Sequence, residues 1–184
     1  MRALLIQMMG VVLVLVSSWS LAEEVPPAVL EIAPELQKIG LDPVLVAAVK
    51  AQNSKGRSLD AIKQADAKWR GTEGIDSFMQ SLMDNEAAQA LRKIEKSQSY
   101  YLELFLMDNQ GANVAMTGKT SDYWQGDEAK WTESFKGGAG AVHVGEVEFD
   151  ESAQAYLVQV SVPVMDAGVA IGAVTIGINL DELE

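Results

Sequence analysis

From Pro27 to about Ser99, apolar residues recur every three or four positions, the period of amphipathic helices. Pro26-Pro27 opens the first helix, with proline in a first turn where its missing N–H costs nothing, and Gly40 ends it. Asp42-Pro43 reads as N-cap and first-turn proline for the apolar run Val44 to Val49, which Gly56 closes. Ser58 caps a third helix, on which Leu59, Ile62, Ala65 and Trp69 share one side. After Gly71 and Gly74 the spacing predicts one longer helix. It carries Ile75, Phe78, Met79, Leu82, Leu91 and Ile94 on a stripe, with Lys93, Glu95 and Lys96 mostly off it. Such a stripe needs an apolar partner, and a sheet is the simplest one.

After Ser99 the period changes to that of strands. Tyr101 to Met107 reads as a strand, Asp108-Asn109-Gln110-Gly111 as a turn, and Asn113 to Thr117 as a second strand. A loop follows, then a short helix around Glu128 to Phe135, stopped by Gly137, Gly138 and Gly140. Three more strands are predicted: Val142 to Phe149, Gln154 to Val164, and Val169 to Ile178. Their turns, "DESA" and "MDAG", are short enough for hairpins, so the three should pair antiparallel. Tyr156, Val158, Val160, Val162 and Val164 share one parity and should face a core. Val169 to Ile178 reads as apolar on both parities, as for a strand covered on both faces.

The first 22 residues alter the picture by naming a compartment. Met1-Arg2 is a basic start, Ala3 to Val16 is almost wholly apolar, and Ser20-Leu21-Ala22 has the small-x-small form of a cleavage site. Residues 1–22 are therefore expected to be a secretory signal peptide cut after Ala22, with an uncleaved anchor helix as the alternative, and the protein to be periplasmic. The remainder suits one folded unit, a helical region over 23–99 and a sheet over 100–184. The formal net charge is −12, and one unit more negative without Arg2, which argues against nucleic acid and anionic membrane surfaces as partners. The absence of cysteine excludes disulfides, Cys-ligated zinc and thiol catalysis.

The order helices, two strands, loop and helix, three strands resembles the extracytoplasmic Cache sensor domains, also called PDC domains. The resemblance is carried by "ELFLMDNQGANVAMTGKTSDYWQGDEAKW" and "SVPVMDAGVAIGAVTIGINL". In that family an apolar strand ends in a D-x-x-G turn, a second ends in a loop with S-D-Y/F and aromatics, and the closing strands carry P-V-x-D-x-G-x-x-I-G. The upstream "AVKAQNSKGRSLDAIKQADAKW" is similar to the helical lead-in of standalone exported members. The likeness runs from about Leu41 to Leu180. It implies an α+β fold: a PAS-like five-stranded antiparallel sheet with the N-terminal helices packed on one face. It also implies a small-molecule-binding sensor. Cache receptors commonly continue into a transmembrane helix and a kinase or methyl-accepting module. A chain that stops at Glu184 is expected to signal through a separate membrane partner, a sensor kinase or chemoreceptor.

Candidate chemistry centres on the loop "TSDYWQGDEAKW". It gathers Tyr123, Trp124 and Trp131 with Asp122, Asp127 and Glu128 in a chain only 7% aromatic. Ring faces attract cations and a nearby carboxylate adds to the attraction, so Tyr123, Trp124 and Trp131 with Asp122 or Asp127 suit a small amine or zwitterion. Lys119, Thr120 and Ser121 would instead grip a carboxylate. The competing reading makes the tryptophans anchors between loop and core, and Asp127 and Glu128 partners of a helix dipole. Asp166, in "PVMDAG", occupies a place similar to that of an Asp that binds a ligand's amino group in many two-module Cache receptors; hairpin-turn chemistry explains it equally. His143 is the only histidine, no G-x-S-x-G surrounds a serine, and adjacent carboxylates in so acidic a chain usually form a solvated face. No catalytic residue, metal or cofactor is expected. The remaining alternative is a protein-interaction module that dimerises through its N-terminal helices.

Overall fold

The computed structural model describes residues 25–150 and 154–183. The expected signal peptide, and residues 151–153 of the expected "DESA" turn, lie outside them. The helices are α1 (Pro27–Ile39), α2 (Pro43–Asn53), α3 (Leu59–Arg70), α4 (Ser77–Asp84), α5 (Glu86–Glu95) and α6 (Ala129–Phe135). The strands are β1 (Tyr101–Met107), β2 (Asn113–Met116), β3 (His143–Asp150), β4 (Ala155–Asp166) and β5 (Val169–Asn179). No described helix is long and apolar enough to cross a membrane.

The predicted caps form. Asp42 accepts from Val44 N at 2.8 Å and Leu45 N at 3.2 Å, with Pro43 at the first helical position of α2, and Ser58 accepts from Ala61 N at 3.3 Å to start α3. The single long helix expected after Gly74 is a departure: it is two helices. Asn85 sits between them in extended conformation, φ −68° and ψ 171°. Its side-chain oxygen caps α5 through Ala88 N at 2.9 Å, while its Nδ2 donates to Val114 O on β2 at 2.9 Å. One residue thus ends α4, starts α5 and fixes both to the sheet.

The sheet is antiparallel throughout, in the order β2-β1-β5-β4-β3, so β2 and β3 are its edges. Parity divides it into two faces. Leu104 and Leu106 of β1, Val158, Val160, Val162 and Val164 of β4, and Val174, Ile176 and Ile178 of β5 are buried with Leu36, Leu45, Val49, Ala88 and Leu91 of α1, α2 and α5. Each such aliphatic side chain contributes about 1.5–3 kcal/mol by leaving water, which makes this layer the main source of stability. Tyr156, expected among the core valines, instead stands 48% exposed at the end of the sheet, edge to face with Phe149 at 5.2 Å.

The opposite face begins a second core. Phe105 and Met107 of β1, Met116 of β2 and Ala173 of β5 pack there with Ile62 and Trp69 of α3, Met79 and Met83 of α4, and Tyr123. The helices accordingly serve both faces: α1, α2 and α5 cover one, while α3 and α4 contribute to the other along with the loop after β2.

Candidate functional site

The loop after β2 is fastened along both sides. On the α3 side, Asp66 Oδ1 accepts from the backbone N–H of Tyr123 at 2.9 Å and of Trp124 at 3.1 Å. Trp69 Nε1 donates to Thr120 O at 2.9 Å, Lys119 Nζ donates to Thr72 O and Gly74 O at 3.0 and 2.9 Å, and Arg57 Nη1 donates to the Tyr123 hydroxyl at 2.8 Å. On the sheet side, Trp124 bridges to Ala112, Asn113 N donates to Tyr123 O at 2.9 Å, and Gln125 N donates to Gly111 O at 2.8 Å. Both tryptophan indoles then reach the Asp108–Gly111 turn: Trp124 Nε1 donates to Gln110 O at 2.7 Å and Trp131 Nε1 to Asp108 O at 3.0 Å. The Asp108 carboxylate folds that turn by accepting from Gln110 N at 2.8 Å and Ala112 N at 3.0 Å. Burial pushes the Asp108 carboxyl up from its ordinary value, against the pull of those two backbone donors.

Of the residues predicted from the loop, Asp122, Trp124 and Asp127 come together. With Lys63, Asp66 and Arg70 of α3 and with Glu128 they line an outer cleft of about 550 Å³. Lys63 Nζ stands 4.5 Å over the Trp124 ring, a cation–π contact. Arg70 pairs with Asp66 at 3.0 Å and Asp122 at 3.5 Å. Tyr123 points the other way. It is 1% exposed, its ring centroid 5.8 Å from Trp69 and 5.2 Å from Phe78, and burial pushes its phenol up to about 12. Trp131 stacks on Phe135 at 4.9 Å, in line with the anchoring its indole hydrogen bond provides. Asp166 is not brought to the others: it pairs with Lys50 of α2 at 2.7 Å and lines neither cleft described here.

A second, inner cleft of about 490 Å³ lies between α6 and the edge of the sheet, lined by residues 128–130, 143–146, 148 and 159. Glu128 belongs to both clefts. The sheet floor beside it consists of two cross-strand rows. In one, Thr175 pairs with Phe105 and Ser161, and Ser161 with His143; the two hydroxyls are fully buried and bonded to each other at 2.8 Å. In the other, Gly177 lies between Glu103 and Gln159, whose Nε2 donates to Glu103 Oε1 at 2.8 Å across the glycine. Lys130 reaches over the Phe105 ring at 5.6 Å and pairs with Glu128 at 2.9 Å. These floor residues were not among those predicted. Their signal was present in "VQVSV" and "VTIGI", where polar or glycine positions alternate with the buried aliphatics. Among the described residues no group of three His, Asp or Glu is arranged to hold a metal ion.

The sequence pattern of the methyl-accepting chemotaxis protein-like, first PDC sensor domain family matches residues 76–184, more than half of the chain. The chain belongs to that family and carries a PDC sensor domain. Among solved structures it is similar to the sensor domain of the Vibrio cholerae histidine kinase DctB, with 16% identity and a TM-score of 0.46, covering 85% of this chain and 51% of that one. It is similar also to the sensory domain of the Campylobacter jejuni chemoreceptor Tlp3 with isoleucine bound: 16% identity, TM-score 0.41, 85% of this chain and 63% of that. A third is the ligand-binding domain of the Pseudomonas aeruginosa amino acid chemoreceptor PctC with GABA: 14% identity, TM-score 0.38, 83% of this chain and 62% of that. The chain thus spans between half and two thirds of the length of each. Compared with curated proteins, it finds no match.

Proposed function

We propose that this PDC sensor domain is exported to the periplasm, binds a small organic molecule against its sheet without transforming it, and passes occupancy to a separate membrane partner, a sensor kinase or chemoreceptor. The observation that carries this reading is the inner cleft. There the start of α6 faces the sheet edge, and the Gln159 amide, the His143 imidazole and the Lys130 ammonium stand beside Ala129 and Val144 in one lining. Ligand pockets place a few polar groups among apolar walls in this way. The outer cleft is a second seat, favoured by its mixture of Lys63 and Arg70 with Asp127 and Glu128 beside an indole face, which suits a zwitterion. In that case Asp122, Trp124 and Asp127 touch the ligand, while Tyr123 and Trp131 hold the loop in place.

A thermal-shift screen of amino acids, amines and short carboxylates tests the proposal. A ligand at a hundred times its dissociation constant adds about 2.7 kcal/mol of stability, a shift of a few degrees for this size. Gln159→Ala should weaken the response if the inner cleft is the seat, and Trp124→Ala if the outer one is. A flat panel, together with a stable dimer formed through the helices, would replace the sensor reading with an interaction module.

A further inference from the structure

We propose that the uncovered end of the sheet, where Phe149 and Tyr156 stand exposed, is the surface on which the protein meets its partner, and that the partner presents there an apolar side chain flanked by lysine or arginine. This rests on the reading that a separate protein receives the signal, and names the face which that protein covers.

Phe149 and Tyr156 are cross-strand partners on β3 and β4. Tyr156 continues the parity of Val158 and Val160, and Phe149 that of Val147, so both belong to the face that α1, α2 and α5 cover. The cover gives out beside them, at the start of α1, where Pro26 and Ala28 border a hollow against Tyr156. The two rings are left 49% and 48% exposed and meet edge to face at 5.2 Å. An aromatic pair on the core side of a sheet forgoes the stabilisation of burial when it stays in water, and a partner that covers it recovers that term.

The hollow is walled further by Val147, Leu180 and Leu183 and measures about 250 Å³. It is smaller than the roughly 300–1,000 Å³ of a small-molecule pocket. Its size suits the single anchoring side chain that protein interfaces seat among excluded water.

Charge then selects among the occupants of this apolar surface. Asp181 lines the hollow, Glu182 follows it in the closing turn Leu180–Glu182, and among the described residues neither pairs with a cation. The stretch from Gly137 to Glu184, which supplies β3, β4, β5 and that turn, holds eight acidic residues and no lysine or arginine. A second copy would bring the same carboxylates to the contact, and an anionic bilayer would be repelled. A segment with cations around an apolar anchor fits both features. Its anchor fills the hollow, its basic stems lie on the exposed rings, and its charged ends reach Asp181 and Glu182.

Fluorescence anisotropy of two labelled synthetic peptides, measured with the full exported chain, tests the assignment. Both peptides carry the same amphipathic spacing of leucines, one with lysine and the other with glutamate at the polar positions. The lysine peptide should bind, more weakly as salt rises, and the glutamate peptide should not. Tyr156→Ser and Phe149→Ser should each weaken binding at least about tenfold, and with both rings half exposed each variant should keep its fold. Asp181→Asn combined with Glu182→Gln should weaken it about three- to fivefold. Glu73→Gln combined with Glu133→Gln removes the same charge from exposed positions before α4 and on α6, and should change nothing. Equal weakening by the two charge pairs, or undiminished binding by both ring variants, would reduce the effect to the net negative charge and overturn the proposal. Failure of the lysine peptide to bind would overturn it too. Dimerisation abolished by Tyr156→Ser would give the face to a second copy instead, and flotation with phosphatidylcholine vesicles abolished by the same change would give it to a bilayer. The sensor reading fails separately: a flat thermal-shift panel with the lysine peptide still bound removes the ligand and keeps this surface, whereas a ligand shift without peptide binding does the reverse.

Discussion

Asp66 should be the side chain on which the loop after β2 most depends. It is 4% exposed on α3, and one of its oxygens accepts the backbone N–H groups of both Tyr123 and Trp124. Its other oxygen pairs with Arg70 at 3.0 Å, and the Arg70 side chain is 60% exposed. Asp66→Ala leaves two amides without an acceptor. Each costs about 1–3 kcal/mol when water cannot replace the lost partner, with Trp124 N nearer the lower figure because it is only partly buried. The expected loss is about 2–5 kcal/mol. Asp66→Asn keeps an acceptor oxygen for both amides and removes only an ion pair to a solvated guanidinium, worth about 1 kcal/mol or less. Urea unfolding followed by tryptophan fluorescence measures both differences. Amide exchange at Tyr123 and Trp124 should accelerate in the alanine variant before global unfolding does. An alanine variant within about 0.5 kcal/mol of the parent, or an asparagine variant as damaged as the alanine one, would refute the latch.

Two further predictions concern the same region. Burial holds the Tyr123 phenol at about 12 against an ordinary 10.0, so the folded protein keeps a proton that the unfolded chain releases first. Stability from this group is complete below pH 10.0 and is lost as pH rises toward about 12, by about 2–3 kcal/mol. Tyr101, also pushed up to about 12 chiefly by burial, adds to the fall in the same window. Tyr123→Phe should flatten unfolding curves taken across this range, and an unchanged slope would count against the assignment. Gly126→Ala places a Cβ against the Trp124 indole nitrogen and 2.5 Å from Gln110 O, where the indole hydrogen bond now runs. A loss of about 1–3 kcal/mol is expected, read as a lower melting temperature, and a neutral effect would mean that the indole bond is dispensable.

Much of the architecture was legible because local chemistry and tertiary packing agree. The Asp108-Asn109-Gln110-Gly111 turn and the valine parity of β4 fixed strand positions to within a residue or two. The helix break was also written in the chain, since Asn85 followed by Glu86 is a capping signal; the apolar stripe running past it masked the cap. Tyr156 shows the limit of parity, which names a face but not how far along the strand the cover extends. The loop shows another. Tyr123 and Trp124 are neighbours of similar chemistry, and their opposite fates follow from pairing between Trp124 and Ala112, a contact made only once the sheet exists. The sheet floor went unread because Thr175 and Gly177 lie within a strand dominated by Val, Ile and Ala, where a few polar positions look like noise until both faces are known.

The Asp108–Gly111 turn has a consequence for how the molecule assembles. Asn53, at the end of α2, holds Asn109 N and Ile171 O, the latter 118 residues away in sequence; Gln110 holds Arg57 O; both tryptophan indoles end on the turn's carbonyls. The bonds made by Asn53 and by Gln110 Nε2 join parts of the chain 53 to 118 residues apart. They wait for the hairpin, the helix before it and the last strand to meet, so the loss of chain entropy precedes the reward. The loop and α6 should therefore be late arrivals in folding, docking as one piece onto a sheet already built.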